Sequence, residues 1–450
     1  MGFPWKAALL LFALVGTLAA ACTEGSGQAS GEDQAASTAQ VRKLPLAWEF
    51  NYKNAVHPDA TFADITPDGR YVAGWYLEAA NGSLRRQIYA WRFDRERKTL
   101  ITVSYPLAQQ ESVRAAVLRL HPEGATAVFG AGEPWGLWEV DFNGEHFRRL
   151  ATLNERLADA LWVQGAGWIA LTMGGELAEV TEAGRVRGRW EVGAKARRLG
   201  YGPDERSVLA ISESGGNVYQ LGLAELKVRT INFPHEYEYG HIALGARDNK
   251  FLLTGQSEDA GTVIAEILRT EPEGNEILAH WELEPLPFAG CTEFGFALLG
   301  WLPRGGGSSV YTLLAIDADG KERWRRELPC PDWSAGLNRI RSEPCSWELE
   351  VVDDSPHSFT TSAHLVRYRW DAYEWAYAQD YYAITTEGIS GPLVSVWLPA
   401  RKPRDPDAEP PQVVYNYWYI QRGRIRLFNL GGALQAYTMP GKLFAGRDSS

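Results

Sequence analysis

The stretch PHEYEYGHIAL, residues 234–244, gathers two imidazoles and two carboxylates, His235, Glu236, Glu238 and His241, on one short connection. Imidazole and carboxylate together suit zinc ligation or general acid–base catalysis. Nothing in the spacing forces these side chains together, however, and a charged, solvated connection leading into a strand accounts for the same residues. The two histidines are therefore expected to diverge. Asp317 and Asp319, in DADG, resemble the opening of a calcium loop, but the later ligands of an EF-hand are missing and a hairpin turn accounts for both. The chain contains no HExxH, GxSxG, Walker-type phosphate loop, dinucleotide GxGxxG or CxxC. No catalytic, metal-binding or cofactor-binding residue is assigned on this basis, and no cofactor is called for.

Cys22 closes the segment MGFPWKAALLLFALVGTLAAAC, in which Lys6 precedes an apolar run from Ala7 to Leu18 and the small residues Ala19, Ala20 and Ala21. This is the pattern of a signal peptide over residues 1–21. The run falls short of the roughly 20 apolar residues that span a bilayer, so no transmembrane helix is expected in the mature chain. Small residues before a cysteine, with Leu18 upstream, resemble the lipobox of bacterial lipoproteins, whose cysteine is acylated through sulfur and becomes the mature N-terminus. The resemblance implies lipid attachment at Cys22; an ordinary signal peptide cut near Ala21 would leave Cys22 free. Thr23, where Asp would favour the inner membrane, implies the outer membrane. Residues 22–43, rich in Gly, Ser, Ala, Gln and Thr as far as Gln40, cannot offset the entropy of ordering and read as a flexible tether.

Three further cysteines, Cys291, Cys330 and Cys345, would occupy an oxidising compartment. Cys330 and Cys345 bracket a Pro-flanked connection, and a disulfide between them would contribute about 3 kcal/mol in the chain-entropy model. Cys291 would then be a small buried apolar residue.

A formal net charge of −11 argues against a nucleic-acid binder, which needs a basic stripe. With 18 Trp, 19 Tyr, 16 Phe and 45 Gly, the balance favours strands and tight turns over helices. TFADITPDGRYVAGWYLE reads as strand, Pro-Asp-Gly turn at Pro67, Asp68 and Gly69, and strand; QIYAWRFDRERKTLITVSY adds a third strand, a turn near Asp94, and a fourth. The unit returns along the chain, with turns near Asp94, Gly144, Gly184, Ala224, Gly274, Gly320, Ala372 and Gly423. A period of about 40 to 50 residues with four strands per unit predicts an all-β chain folded as a β-propeller over residues 44–445. The eight turns favour eight blades; seven remains open. LAWEFNY, residues 46–52, precedes the first full unit and would supply an outer strand to the last blade, closing the ring.

FADITPDGRYVAGW and GYGPDERSVLAIS resemble the turns of WD40-like propeller repeats, and LLAIDADGKERWRREL resembles a blade of quinoprotein-type propellers. The whole plan is similar to the eight-bladed propeller lipoproteins that assist outer-membrane protein assembly. The resemblance implies a protein-binding or scaffolding module with another envelope protein as partner. Because propeller enzymes assemble their sites from separate loops, an envelope hydrolase or lyase acting in the central funnel through His235, Glu236, Glu238 and His241 is the alternative. A carbohydrate-binding module is a further one. The aromatic clusters YRWDAYEWAYAQDYY and VVYNYWYIQ would fill the wedges between blades or, less simply, present a stacking surface.

Overall fold

The computed structural model describes residues 43–439 with breaks, the longest at 106–116, 329–345, 353–361 and 400–417. Strands succeed one another along nearly all of this span, interrupted among the described residues by one short helix, Tyr52–Ala55. They pair into eight antiparallel four-stranded units: 61–104, 117–152, 157–191, 196–232, 241–283, 288–327, 346–399, and a last unit in which 418–438 is completed by Leu46–Asn51. A single parallel pair, Cys291 with Ser362, joins the sixth and seventh units. The molecule is an eight-bladed β-propeller, as the turn spacing predicts.

The packing follows from strands that are apolar on both faces. In Thr126–Ala131, Ala127 and Phe129 enter one apolar cluster and Val128 the next; in Gly295–Arg304, Phe296 and Leu298 divide from Ala297 and Leu299 in the same way. Alternation at period two therefore feeds two wedges from each blade. Eight apolar clusters result, one at each junction between neighbouring blades, including the junction of the last with the first. Propeller blades bury both faces against neighbours in this manner, so no blade is an independent folding unit.

Ring closure uses the N-terminal strand as expected. Trp48 lies opposite Ala436 and Phe50 opposite Leu434. Phe50 then stacks on Phe93 of the first blade, with ring centroids 4.0 Å apart. Just upstream, the Leu44 amide donates to the Ser395 carbonyl at 2.9 Å, and Lys43 Nζ sits 4.3 Å from the Trp397 ring centroid. The N-terminal segment thus runs along the outer strand of the seventh blade and then becomes the outer strand of the eighth.

The turn series departs from its reading in one respect. From Asp94 to Gly320 the marked turns join the third strand of each blade to its outer strand. Ala372 instead falls between the second and third strands of the seventh blade, and Gly423 between the first and second of the eighth. In the seventh blade the turn from third to outer strand is Thr385–Gly388, and the last blade has none because residues 46–51 supply its outer strand, so the last two marks are out of phase while the number of blades stands.

Candidate functional site

The innermost strands carry a repeated polar device. In the first blade, Asp64 follows a register shift beginning at Phe62 and is 3% exposed. One carboxylate oxygen accepts from the Ile65 amide at 2.9 Å, and the other accepts from the Leu120 amide of the second blade at 2.8 Å. Asp159 repeats this in the third blade: it follows a register shift at Leu157 and accepts from Ala160 at 2.9 Å and from Leu199 of the fourth blade at 2.9 Å. A bulge turns the carboxylate off the ladder toward the neighbouring inner strand. A buried carboxylate that accepts two amides has its hydrogen-bonding capacity met without water.

Arginine occupies the alternate blades. Arg119 immediately precedes the Leu120 amide, and Arg198 immediately precedes the Leu199 amide. Arg119 Nε donates to Asp159 Oδ1 at 2.9 Å, with a second guanidinium nitrogen also 2.9 Å away. Burial opposes the Arg119 charge, but the Asp159 and Asp64 carboxylates outweigh it and raise its pKa. Four consecutive inner strands therefore present Asp, Arg, Asp, Arg around the hub. The carboxylates bridge blades.

Further out, Arg92 is 5% exposed and reaches from the first blade to the second, donating to the Gly124 carbonyl at 2.7 Å and to Asn143 Oδ1 at 3.3 Å. A depression of about 360 Å³ at one end of the third blade is lined by Gly165, Thr181, Glu182, Arg185 and Arg187 among others. Its Arg187 is engaged with Glu179, 3.0 Å away and 1% exposed, whose carboxyl is pushed up by burial despite that partner.

Of the residues singled out in the sequence, His241 opens the inner strand of the fifth blade, with its backbone opposite Thr254. His235, Glu236, Glu238, Cys22, Cys330 and Cys345 lie outside the described residues. Asp317 accepts from the Asp319 and Lys321 amides at 3.0 and 2.9 Å, the hairpin use expected of it, and Asp319 pairs with Lys250 Nζ at 3.0 Å. Cys291 is buried among Phe296, Leu298 and Ile316. Tyr381 is wholly buried between the last two blades, and Tyr382 packs against Trp347 at 5.3 Å between centroids, so these members of the aromatic cluster fill wedges. Among the described residues no group of three or more His, Cys, Asp and Glu is placed to hold a metal ion. Sequence reasoning missed the hub. Its signal was the dipeptide Ala-Asp at Ala63–Asp64 and again at Ala158–Asp159.

Fold and hub together define a closed eight-bladed propeller in which Asp64, Arg119 and Asp159 tie together the inner strands of the first four blades. No protein-family model matches the chain, and no curated protein sequence is similar to it. Among solved structures it is similar to the Kuenenia stuttgartiensis hydrazine synthase, at 11% identity over 72% of this chain and 94% of that one, with a TM-score of 0.36. It is also similar to the dihydro-heme d1 dehydrogenase NirN in complex with DHE, at 12% identity over 75% and 67%, with a TM-score of 0.42. A third is the Myceliophteria thermophila Cps50 (Swd1) β-propeller domain, at 10% identity over 88% and 100%, with a TM-score of 0.38.

Proposed function

We propose that the chain is a bacterial envelope lipoprotein, anchored through an acylated Cys22 in the outer membrane, whose propeller is a protein-binding or scaffolding module. The observation that supports this best is a closed disc whose N-terminal segment leaves from its rim. Lys43 and Leu44 lie along the outer strand Ile389–Pro399, and the chain then enters the closing strand. Residues 22–43 would reach at most about 80 Å when fully extended. A disc hung from its rim on such a tether keeps both faces and most of its outer strands free for another envelope protein. The hub carboxylates, meanwhile, are occupied in joining blades.

Two measurements test the reading. The mature protein is expected to fractionate with membranes, and Cys22→Ala to release it; an unmodified N-terminus beyond Cys22 would remove the tether. Crosslinking in intact envelopes is expected to recover one stoichiometric protein partner. Recovery of none would remove the scaffold.

A further inference from the structure

An outer strand has one edge without a neighbour and can template another strand, a hazard that charged side chains, Pro or a covering segment suppress. Seven of the eight outer strands here show such a device. His146–Thr152, Val186–Glu191, Lys227–Asn232 and Glu322–Glu327 carry Lys or Arg, while Gly274–Leu283 and Leu46–Asn51 carry Glu. Ile389–Pro399 has no charge, but it contains Pro392 and is covered by Leu44. The eighth is Thr99–Ser104, TLITVS, at the rim of the first blade. It has no charge and no proline, ends its sheet, and among the described residues pairs only with Arg86–Asp94.

The free backbone groups can be assigned. The Tyr105 amide donates to the Ile88 carbonyl at 2.8 Å, continuing the ladder inward. Antiparallel pairs alternate, so Thr99, Ile101 and Val103 also turn their amides inward, and Leu100, Thr102 and Ser104 turn theirs to the open edge. Leu100 is 36% exposed and lies opposite Phe93, so an added strand would extend the face on which Phe93 and Phe50 stack. The turn leading into the strand carries Arg95, Arg97 and Lys98. Arg70 takes up the neighbouring Asp94 and Glu96, leaving these three cations without an ion-pair partner among the described residues. In a chain of net charge −11 this is a local basic spot.

We infer that Thr99–Ser104 is the docking edge for an extended segment of a partner protein. That segment adds as an antiparallel strand, alternates β-branched residues, and ends in carboxylates beside Arg97 and Lys98. Antiparallel addition brings the C-terminal end of the segment to the basic turn, which fixes where the acidic residues must lie. Main-chain bonds supply affinity and the alternate side chains with the terminal charges supply selectivity. The inference rests on the protein-binding reading above and names the chemistry of the partner.

The test uses the purified full chain and a fluorescent octapeptide alternating valine and threonine and ending in two glutamates, followed by anisotropy. Saturable binding is expected. Thr102→Pro removes an outward amide at a position that makes no inward bond, and should weaken binding by at least about tenfold. Thr102→Lys, which retains that amide and keeps the strand geometry, should also block docking at an unchanged melting midpoint. Arg97→Glu with Lys98→Glu should weaken the glutamate-ended peptide and strengthen a lysine-ended one. No binding to the wild type, binding by both Thr102 variants as tight as that of the wild type, or indifference to the terminal charge would overturn the inference. So would wild-type dimers in sedimentation that Thr102→Lys dissolves, since the occupant would then be a second copy. An envelope partner still crosslinked by Thr102→Lys would overturn this edge as the site while leaving the scaffold reading intact.

Discussion

The buried charges of this protein hold blades together, and their removal should be felt as stability. Asp159 joins three blades at one carboxylate: the Arg119 guanidinium of the second, its own Ala160 amide, and the Leu199 amide of the fourth. Asp159→Ala strands two buried amides and an arginine that is 29% exposed, and is expected to cost about 3 kcal/mol, read from chemical denaturation. A cost below about 1 kcal/mol would mean that water replaces the carboxylate. His364 makes a second, pH-dependent case. Burial and then the Arg426 charge push its pKa from 6.5 down to about 3. The folded state therefore binds fewer protons than the unfolded state between these values, so stability is complete above pH 6.5 and falls as pH drops toward 3. The slope approaches about 1.4 kcal/mol per pH unit. His364→Gln should flatten the decline in melting midpoint between pH 6.5 and 4; parallel curves for wild type and variant would refute it. None of these roles was legible as chemistry. His235, Glu236, Glu238 and His241 stand near one another along the chain, whereas Asp64 reaches the Leu120 amide, and Asp159 the Arg119 guanidinium and the Leu199 amide, only across blades.

Individual strands and turns were far more legible, because their causes are local. TPDG at residues 66–69 forms the expected turn: the Thr66 hydroxyl donates to Asp68 at 2.6 Å, the Gly69 amide donates to the Thr66 carbonyl at 2.8 Å, and Gly69 takes φ +68°. The corresponding Gly124 has φ +72°, and a Cβ there would come within 2.1 Å of the Tyr71 ring of the preceding blade. The same glycine thus makes the turn and admits the neighbour, and only the first of these purposes can be read from a stretch of sequence. The short helix Tyr52–Ala55 was not read for a related reason. It is capped by Asn51, which accepts from the Asn54 amide at 3.0 Å, but Tyr52 is fixed by its hydroxyl bond to Asn429 at 3.1 Å, a residue of the last blade. Charge on outer strands was visible in the sequence as well. It acquired meaning only when topology showed which strand of each unit is outermost.

At the scale of the whole molecule, a ring differs from an open row of blades in having no terminal unit, and here a short segment makes that difference. Residues 44–51 complete the eighth blade through the pairing of Trp48 with Ala436 and Phe50 with Leu434, and they place Phe50 on Phe93 and Leu44 in the wedge between the last two blades. Burying Leu44 and Phe50 alone contributes on the order of 4 kcal/mol. Without the segment, the outer edge of Ala433–Thr438 and the Phe93 side of the first blade would be uncovered. The wedges would then lose their common closure, and neighbouring junctions could open separately. Deleting residues 44–51 is accordingly expected to lower the melting midpoint and broaden the calorimetric transition, whereas deleting residues 24–38 from the tether should leave both unchanged. A peptide of residues 44–51 added to the first variant should recover part of the midpoint in proportion to its concentration, as binding to the folded state requires. If the deletion variant melted at the wild-type midpoint with the same width, the blades would be held by their wedges alone, and the closing strand would serve only to carry the tether.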